Sequence, residues 1–255
     1  MVQAILRINL RMQLIYMDGA TMLENVKLVT PGHLVVATEG DIPPYSSKGS
    51  HGKLDGLEVR LMGEVAKRLN LVYQPLIVSW SEIISGLNSD LFDVSSAPMD
   101  ITLERLDQLD FSNPWVDSGA QLVALTENQY TDEELKVMGC SMLQNSTWEK
   151  MAKDHFNSLM PCETNVLALD ALVNKKVGCM LTDLLAAEHF ITTLKLPLRK
   201  VGGPLNRSLK GWAVKKNNHA LLLALNSTFQ SIIEDGTYQK ISQELVGYSI
   251  LPTNL

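Results

Sequence analysis

From Leu34 onward, apolar residues arrive in two rhythms, short unbroken runs and longer stretches with a three-to-four-residue beat. Leu34-Val-Val-Ala-Thr38 is a run of the first kind and predicts a buried strand. Pro, Gly and Ser crowd residues 39–53, which read as a loop. Asp55-Gly56-Leu57-Glu58 places a Glu three residues after an Asp, the spacing of a capping box, and so predicts a helix start. Leu57, Leu61, Met62, Val65 and Leu69 share one face of that helix. A strand follows over Val72–Val78. Ser79-x-x-Glu82 repeats the capping signature ahead of a helix whose stripe is Trp80, Ile83, Ile84 and Leu87. Phe92–Ala97 is a second buried run. A turn, the segment Thr102-Leu103-Glu104-Arg105 and a strand ending at Phe111 come after it. Alternating strands and helices predict a parallel sheet with right-handed crossovers.

A second unit of the same kind follows. Residues 119–125 predict a strand, Thr131-x-x-Glu134 a short helix and Val137–Leu143 another strand. Ser146-Thr147-Trp148-Glu149 opens a helix reaching about His155. Helix over 165–174, strand over Val177–Leu181 and helix from Asp183 to Thr193 complete it. The chain closes with strand Gly211–Lys215, a long helix 218–234 stopped by Gly236, and a last helix from Thr237 carrying Ile241 and Leu245 on one face. Residues 1–31 read as an extension or degenerate targeting segment, because Arg7 and Arg11 interrupt its apolar residues.

The 255 residues suffice for two domains of roughly 100–150 residues. A net charge of −6 argues against a nucleic-acid partner, which would favour a basic face. No run of about 18 apolar residues predicts a membrane span. Cys140, Cys162 and Cys179 lie at or beside predicted strands without metal spacing. They read as small buried apolar residues, with one disulfide or a metal site as alternatives. The five histidines form no catalytic pattern, and Gly49-Ser-His-Gly52-Lys53 lacks phosphate-loop spacing.

Chemistry concentrates in FDVSSAPMDITLERLDQLDFSNPW, residues 92–115. Arg105 sits one helical turn past a strand end, where open α/β sheets place ligands. Its planar fork suits a carboxylate. The segment resembles the central motif of the bacterial family 3 solute-binding proteins, the polar amino-acid receptors of ABC importers. That motif runs roughly D-hydrophobic-hydrophobic-x-x-G-M-T-I-T-x-x-R-x-x-x-hydrophobic-x-F-S-x-P-Y. Glu234-Asp-Gly-Thr-Tyr-Gln-Lys-Ile241 resembles the family's C-terminal aDGTyxKI, and the likeness extends over about 34–250.

The resemblance implies an α/β, type II periplasmic-binding-protein fold of two lobes, each a mainly parallel sheet flanked by helices. Lobe 1 would be 32–118 plus 211–255, and lobe 2 would be 119–210. Arg105 would hold a ligand α-carboxylate together with Ser146 and Thr147, which match the family's G-T-T at a helix start; Asn145 stands where the family has Gly. Asp183, matching D-A-V-V-x-D, would receive the α-ammonium, or else simply cap its helix. Ala97, Pro98 and Asp100 occupy the G-M-T-I-T turn, with Pro98 and Asp100 departing from Gly and Ser/Thr. Tyr45 and Trp80 are candidate cleft walls, with core packing as the alternative. Glu39 aligns with an acidic position that meets basic side chains in some members, or is a solvated loop residue.

The function so implied is capture of a small amino acid or amino-acid-like ligand by hinge closure, without chemistry or cofactor. The resemblance implies an extracytoplasmic monomer that delivers its cargo to ABC permease subunits. A cyclohexadienyl dehydratase on the same scaffold, with Glu39 or Asp100 as general acid, is the rival. A sensory ligand-binding domain is a third reading. With Arg105 offset by the ligand carboxylate, Glu39 and Asp100 leave the pocket net negative, so a ligand with a second positive group is expected.

Overall fold

A computed structural model describes residues 23, 25–49, 51–128 and 130–253; of the predicted extension, residues 1–22 and 24 lie outside the described residues. In chain order the first elements are β1 (His33–Thr38), β2 (Asp41–Ile42), β3 (Ser46–Lys48), β4 (Leu54–Asp55), α1 (Leu57–Arg68), β5 (Val72–Ile77), a 3-10 turn Trp80–Glu82 and α2 (Ile83–Asn88). There follow β6 (Val94–Asp100), α3 (Leu103–Leu106), β7 (Leu109–Phe111) and β8 (Val116–Ser118). The second unit comprises β9 (Ala120–Leu125), α4 (Asp132–Met138), β10 (Cys140–Leu143), α5 (Thr147–Lys153), β11 (Leu159–Cys162), α6 (Asn165–Val173), β12 (Cys179–Asp183), α7 (Leu184–Thr192) and β13 (Leu198–Val201). Strand β14 (Ser208–Lys215) and helices α8 (His219–Glu234) and α9 (Thr237–Val246) end the chain.

Two separate large sheets form the frame. One has the order β5-β1-β6-β14-β7, with β8 also on β14; the other has the order β11-β10-β12-β9-β13. Within each, three strands run parallel, as their helical crossovers require. The remainder run antiparallel: β14 against β6, β7 and β8, and β9 against β12 and β13. The sheets are therefore mixed, because β9 and β14 enter from the opposite sheet without an intervening crossover helix. The chain leaves the first sheet at Gly119 and returns to it after Asn206. A Cβ on Gly119 would lie 2.0 Å from the Asn206 carbonyl oxygen. The Asn206 side chain in turn accepts from Ala120 N at 2.7 Å.

Several local expectations change. The loop at 39–53 contains a small antiparallel sheet, β2-β3-β4. Val137 belongs to α4 rather than to the strand after it, and the Thr131–Glu134 capping box opens that helix. Strands β11 and β13 complete the second sheet although no local pattern predicts them. Asp55 does not cap α1. It takes Arg60 on both oxygens, at 2.7 and 2.8 Å, and Gly56 is the N-cap. Gly56 has φ 141°, and a Cβ there would meet the Tyr45 carbonyl at 2.1 Å, so only glycine fits. Glu58, the presumed capping-box acid, points inward and is fully buried.

The α1 stripe packs as its periodicity predicts, with Leu57, Leu61, Met62, Val65 and Leu69 all buried. Beside it runs a column of rings, Tyr45–Trp115–Trp212–Phe229–Tyr238, with centroids 4.9–6.3 Å apart. The three cysteines are free and buried. Among the described residues no helix is long and apolar enough to cross a membrane.

Candidate functional site

Strand β6 continues three residues beyond its predicted end because β14 pairs with it there, Gly211 opposite Met99 and Lys210 opposite Asp100. Thr102 then caps α3, its hydroxyl accepting from Arg105 N at 3.2 Å. This turn carries Arg105 into a cleft between the two sheets. The cavity there is small, about 20 Å³, and is lined by Glu39, Ile42, Trp80, Pro98, Asp100, Arg105, Leu143, Ser146, Thr147 and Trp148. Arg105 donates to the Asp100 carbonyl at 3.0 Å and lies 5.1 Å from the Trp80 ring centroid. Among the described residues no carboxylate lies within ion-pair distance of its guanidinium. Burial lowers its pKa, partly opposed by Asp100 and Glu104.

The far wall comes from the second sheet. Asn145 adopts φ 57°, a left-handed geometry Asn tolerates. Ser146 caps α5, accepting from Glu149 N at 3.2 Å. The Thr147 hydroxyl crosses the cleft to donate to Asp100 Oδ2. Trp80 crosses the other way, its indole donating to the Asn145 carbonyl at 3.1 Å.

Three expected residues lie behind the cavity instead of lining it. Ala97 is buried inside β6. Tyr45 is fully buried in the aromatic column, and its hydroxyl donates to Asp183 Oδ1 at 2.8 Å. Asp183 is fully buried as well, with Oδ1 also accepting from Ser118 at 2.9 Å and from Leu185 N at 2.9 Å. The last contact is the helix-cap role considered from the sequence.

Sequence reasoning missed the lining residues Ile42, Leu143 and Trp148 and, behind them, Lys210. Lys210 is 1% exposed, directly across the β6–β14 ladder from Asp100. Its Nζ lies 2.5 Å from Asp100 Oδ1 and 3.3 Å from Asp183 Oδ2. Ser208 also donates to Asp100 Oδ1, at 2.8 Å. Burial alone would raise the Asp100 pKa; Lys210 and the two hydroxyls outweigh it and hold the carboxyl at about 2. Burial would lower Lys210, and the two aspartates reverse that and raise it. Lys210 thus supplies a cation absent from the sequence-based charge count, one positive charge set against the carboxylates of Asp100 and Asp183. A lysine inside the otherwise apolar run Leu209–Val214 was the available signal.

Glu39 faces the cavity in a different state. Burial, then the neighbouring Asp41 and Glu58, push its pKa well up. Its nearest donor is Asn165 Nδ2 at 3.4 Å. Asn165 also bonds Asp41 across the cleft, through its backbone N at 2.9 Å and its side chain at 3.2 Å.

Residues 34–248 match the bacterial extracellular solute-binding proteins, family 3. The chain belongs to that family. The L-cystine-binding protein TcyJ of Escherichia coli K12 is 27% identical over 229 residues, 88% of this chain and 86% of that protein. ABC transporter arginine-binding protein 1 of the same organism is 27% identical over 209 residues, 79% of this chain and 86% of that one. An ancestral arginine-binding protein bound to glutamine superposes with TM-score 0.81 at 30% identity, covering 86% of this chain and 99% of the other. The ancestral amino acid-binding protein AncCDT-1, a precursor of cyclohexadienyl dehydratase, matches at TM-score 0.78 and 26% identity, covering 84% and 96%. The two-lobed α/β fold is that of periplasmic amino-acid-binding proteins. The curated relatives are named as binding proteins, for cystine, arginine and histidine, so this family 3 protein falls with binders and not with enzymes.

Proposed function

We propose that this protein is the substrate-binding receptor of an ABC importer, holding a small amino acid or amino-acid-like carboxylate between its lobes. The observation that carries the reading is Arg105, a buried guanidinium facing a cleft between two sheets with no carboxylate partner among the described residues. A ligand carboxylate would supply that partner, and a bidentate pair there would be strong because it is shielded from water. Ser146, Thr147, Trp80, Pro98, Asp100 and Glu39 line the same space and would shape the rest of the ligand. Ala97, Tyr45 and Asp183 would act from behind, holding that wall in place.

Lobe 1 would comprise 32–118 and 211–255 and lobe 2 119–210, opening and closing about the two crossings near Gly119 and Asn206. The closed lobes would present a surface to permease subunits, outside the cytoplasm, as a monomer. Relatives named for cystine, arginine and histidine support an amino-acid-like ligand. A basic side chain on the ligand stays within this reading, with Lys210 offsetting one of the acids that face it.

A thermal-shift screen of amino acids and their analogues tests the reading. A true ligand at a hundredfold excess over Kd adds about 2.7 kcal/mol of stability. Arg105→Ala should fold and lose about 30- to several-thousand-fold in affinity by calorimetry. A folded Arg105→Ala protein with unchanged affinity would remove Arg105 from the site.

A further inference from the structure

Two Gly-Cys steps meet at the start of the second sheet. Gly139-Cys140 leads into β10 and Gly178-Cys179 into β12, and these parallel strands set Cys140 directly opposite Cys179. Backbone bonds fix the register: Gly178 N donates to the Gly139 carbonyl at 3.0 Å, and Cys179 N to the same carbonyl at 3.3 Å. Facing residues of paired strands project to the same side of a sheet. The Cys179 thiol accordingly lies against that of Cys140, and this contact, ahead of burial, raises the Cys140 pKa. Neighbouring strands lie about 4.8 Å apart, within the roughly 4.4–6.8 Å Cα separation that a disulfide spans. Of the pairings open to three cysteines, only this one is made by the register. Cys162 faces Leu143 at the other end of β10, and Leu159 is the β11 residue opposite Cys140.

We infer that Cys140 and Cys179 form an oxidation site, closing as the chain folds into a disulfide that staples β10 to β12. This rests on the extracytoplasmic location of the receptor reading, a setting where disulfides form and persist, and on no particular ligand. Closure takes a disulfide-bearing oxidant. The thiolate of one cysteine attacks a sulfur of the oxidant, and the other cysteine resolves the mixed disulfide. Two protein S–H bonds and the oxidant's S–S bond are lost; one protein S–S bond and two S–H bonds on the reduced oxidant form. Burial sets the timing. Both thiols are sealed in the finished sheet and donate to main-chain carbonyls, Cys140 to Ser141 at 3.5 Å and Cys179 to Gly139 at 3.7 Å. An oxidant reaches them only while β10 and β12 are still assembling. The closed loop contains α5, β11 and α6, so the bond constrains that part of the unfolded chain. Packing as small apolar residues accounts for the burial of each thiol alone, but does not require the two to face one another.

The test is refolding of the full chain from denaturant in mixed oxidised and reduced glutathione, followed by peptide mapping without reductant. A linked pair of peptides carrying Cys140 and Cys179 is expected, with Cys162 outside the link. Cys162→Ala, which leaves the pair intact, should give the same link. The oxidised wild type should melt about 5–10 °C above the same chain refolded in reductant. Absence of any Cys140–Cys179 link after oxidative refolding overturns the inference. Linkage through Cys162, within or between chains, overturns the pairing. A linked chain that melts no higher than the reduced one overturns the staple. The ligand screen succeeds or fails independently of the link, so the receptor reading falls separately.

Discussion

Glu58 shows how one misread residue changes what the molecule does with pH. It lies fully buried beneath α1, accepting from Thr38 Oγ1, while its other carboxylate oxygen has no hydrogen-bond partner. Burial raises its pKa to about 7, against the opposing pull of the Ser46 and Thr38 hydroxyls. The folded chain therefore holds this proton more tightly than the unfolded chain. The stability it confers is complete below about pH 4.5 and is lost as pH rises through about 7. At about 1.4 kcal/mol per unit, the loss is about 3 kcal/mol. Glu58→Gln should flatten the decline in urea midpoint between pH 4.5 and 7, leaving a residual slope from Glu39, which is raised as well. An identical slope in both proteins would show that Glu58 is not the titrating group.

At the scale of elements, the two crossings between sheets are packed backbone to backbone. Gly119 lies against the Asn206 carbonyl with no space for a side chain, and its own carbonyl accepts from Leu184 N at 2.9 Å. A methyl group there presses on backbone, which cannot rotate aside. Gly119→Ala should cost about 1–3 kcal/mol, read as a lower thermal midpoint. Gly203→Ala, in the same connection but with nothing within 4 Å of the added carbon, is the control and should be near neutral. Equal midpoints for the two variants would mean that the joint relaxes freely.

At the scale of the whole molecule, contacts across the cleft hold the lobes together directly. Asp41 grips the start of α6 through two Asn165 donors, Tyr45 reaches Asp183, and Tyr248 donates to Glu188 at 2.7 Å. Hydrogen bonds to a charged group contribute about 1.5–3 kcal/mol. Asp41→Ala should therefore shift the free protein toward an open form. Small-angle X-ray scattering should register a larger radius of gyration, restored by ligand. An unchanged radius would mean that other contacts suffice to hold the lobes closed.

What local pattern determines in this chain is element identity, one-sided burial and the place of Arg105. Periodicity set the α1 stripe, Ser and Thr before Glu set the starts of α4 and α5, and the strand–turn–helix around residues 94–106 put a guanidinium at a sheet edge. These are short-range matters of side-chain spacing and backbone donors, which a sequence carries openly. The register of β14 was not legible in this way. It lengthens β6 to Asp100, turns the sheet antiparallel and sets Lys210 beside an acid 110 residues earlier. The same long-range packing withdrew Tyr45 and Asp183 from the cavity and turned Glu58 inward. Such pairings depend on which surfaces meet once the sheets assemble, and no local spacing encodes that meeting; hence the place of Arg105 was readable from the chain, while the Lys210–Asp100 ion pair emerged only from the fold.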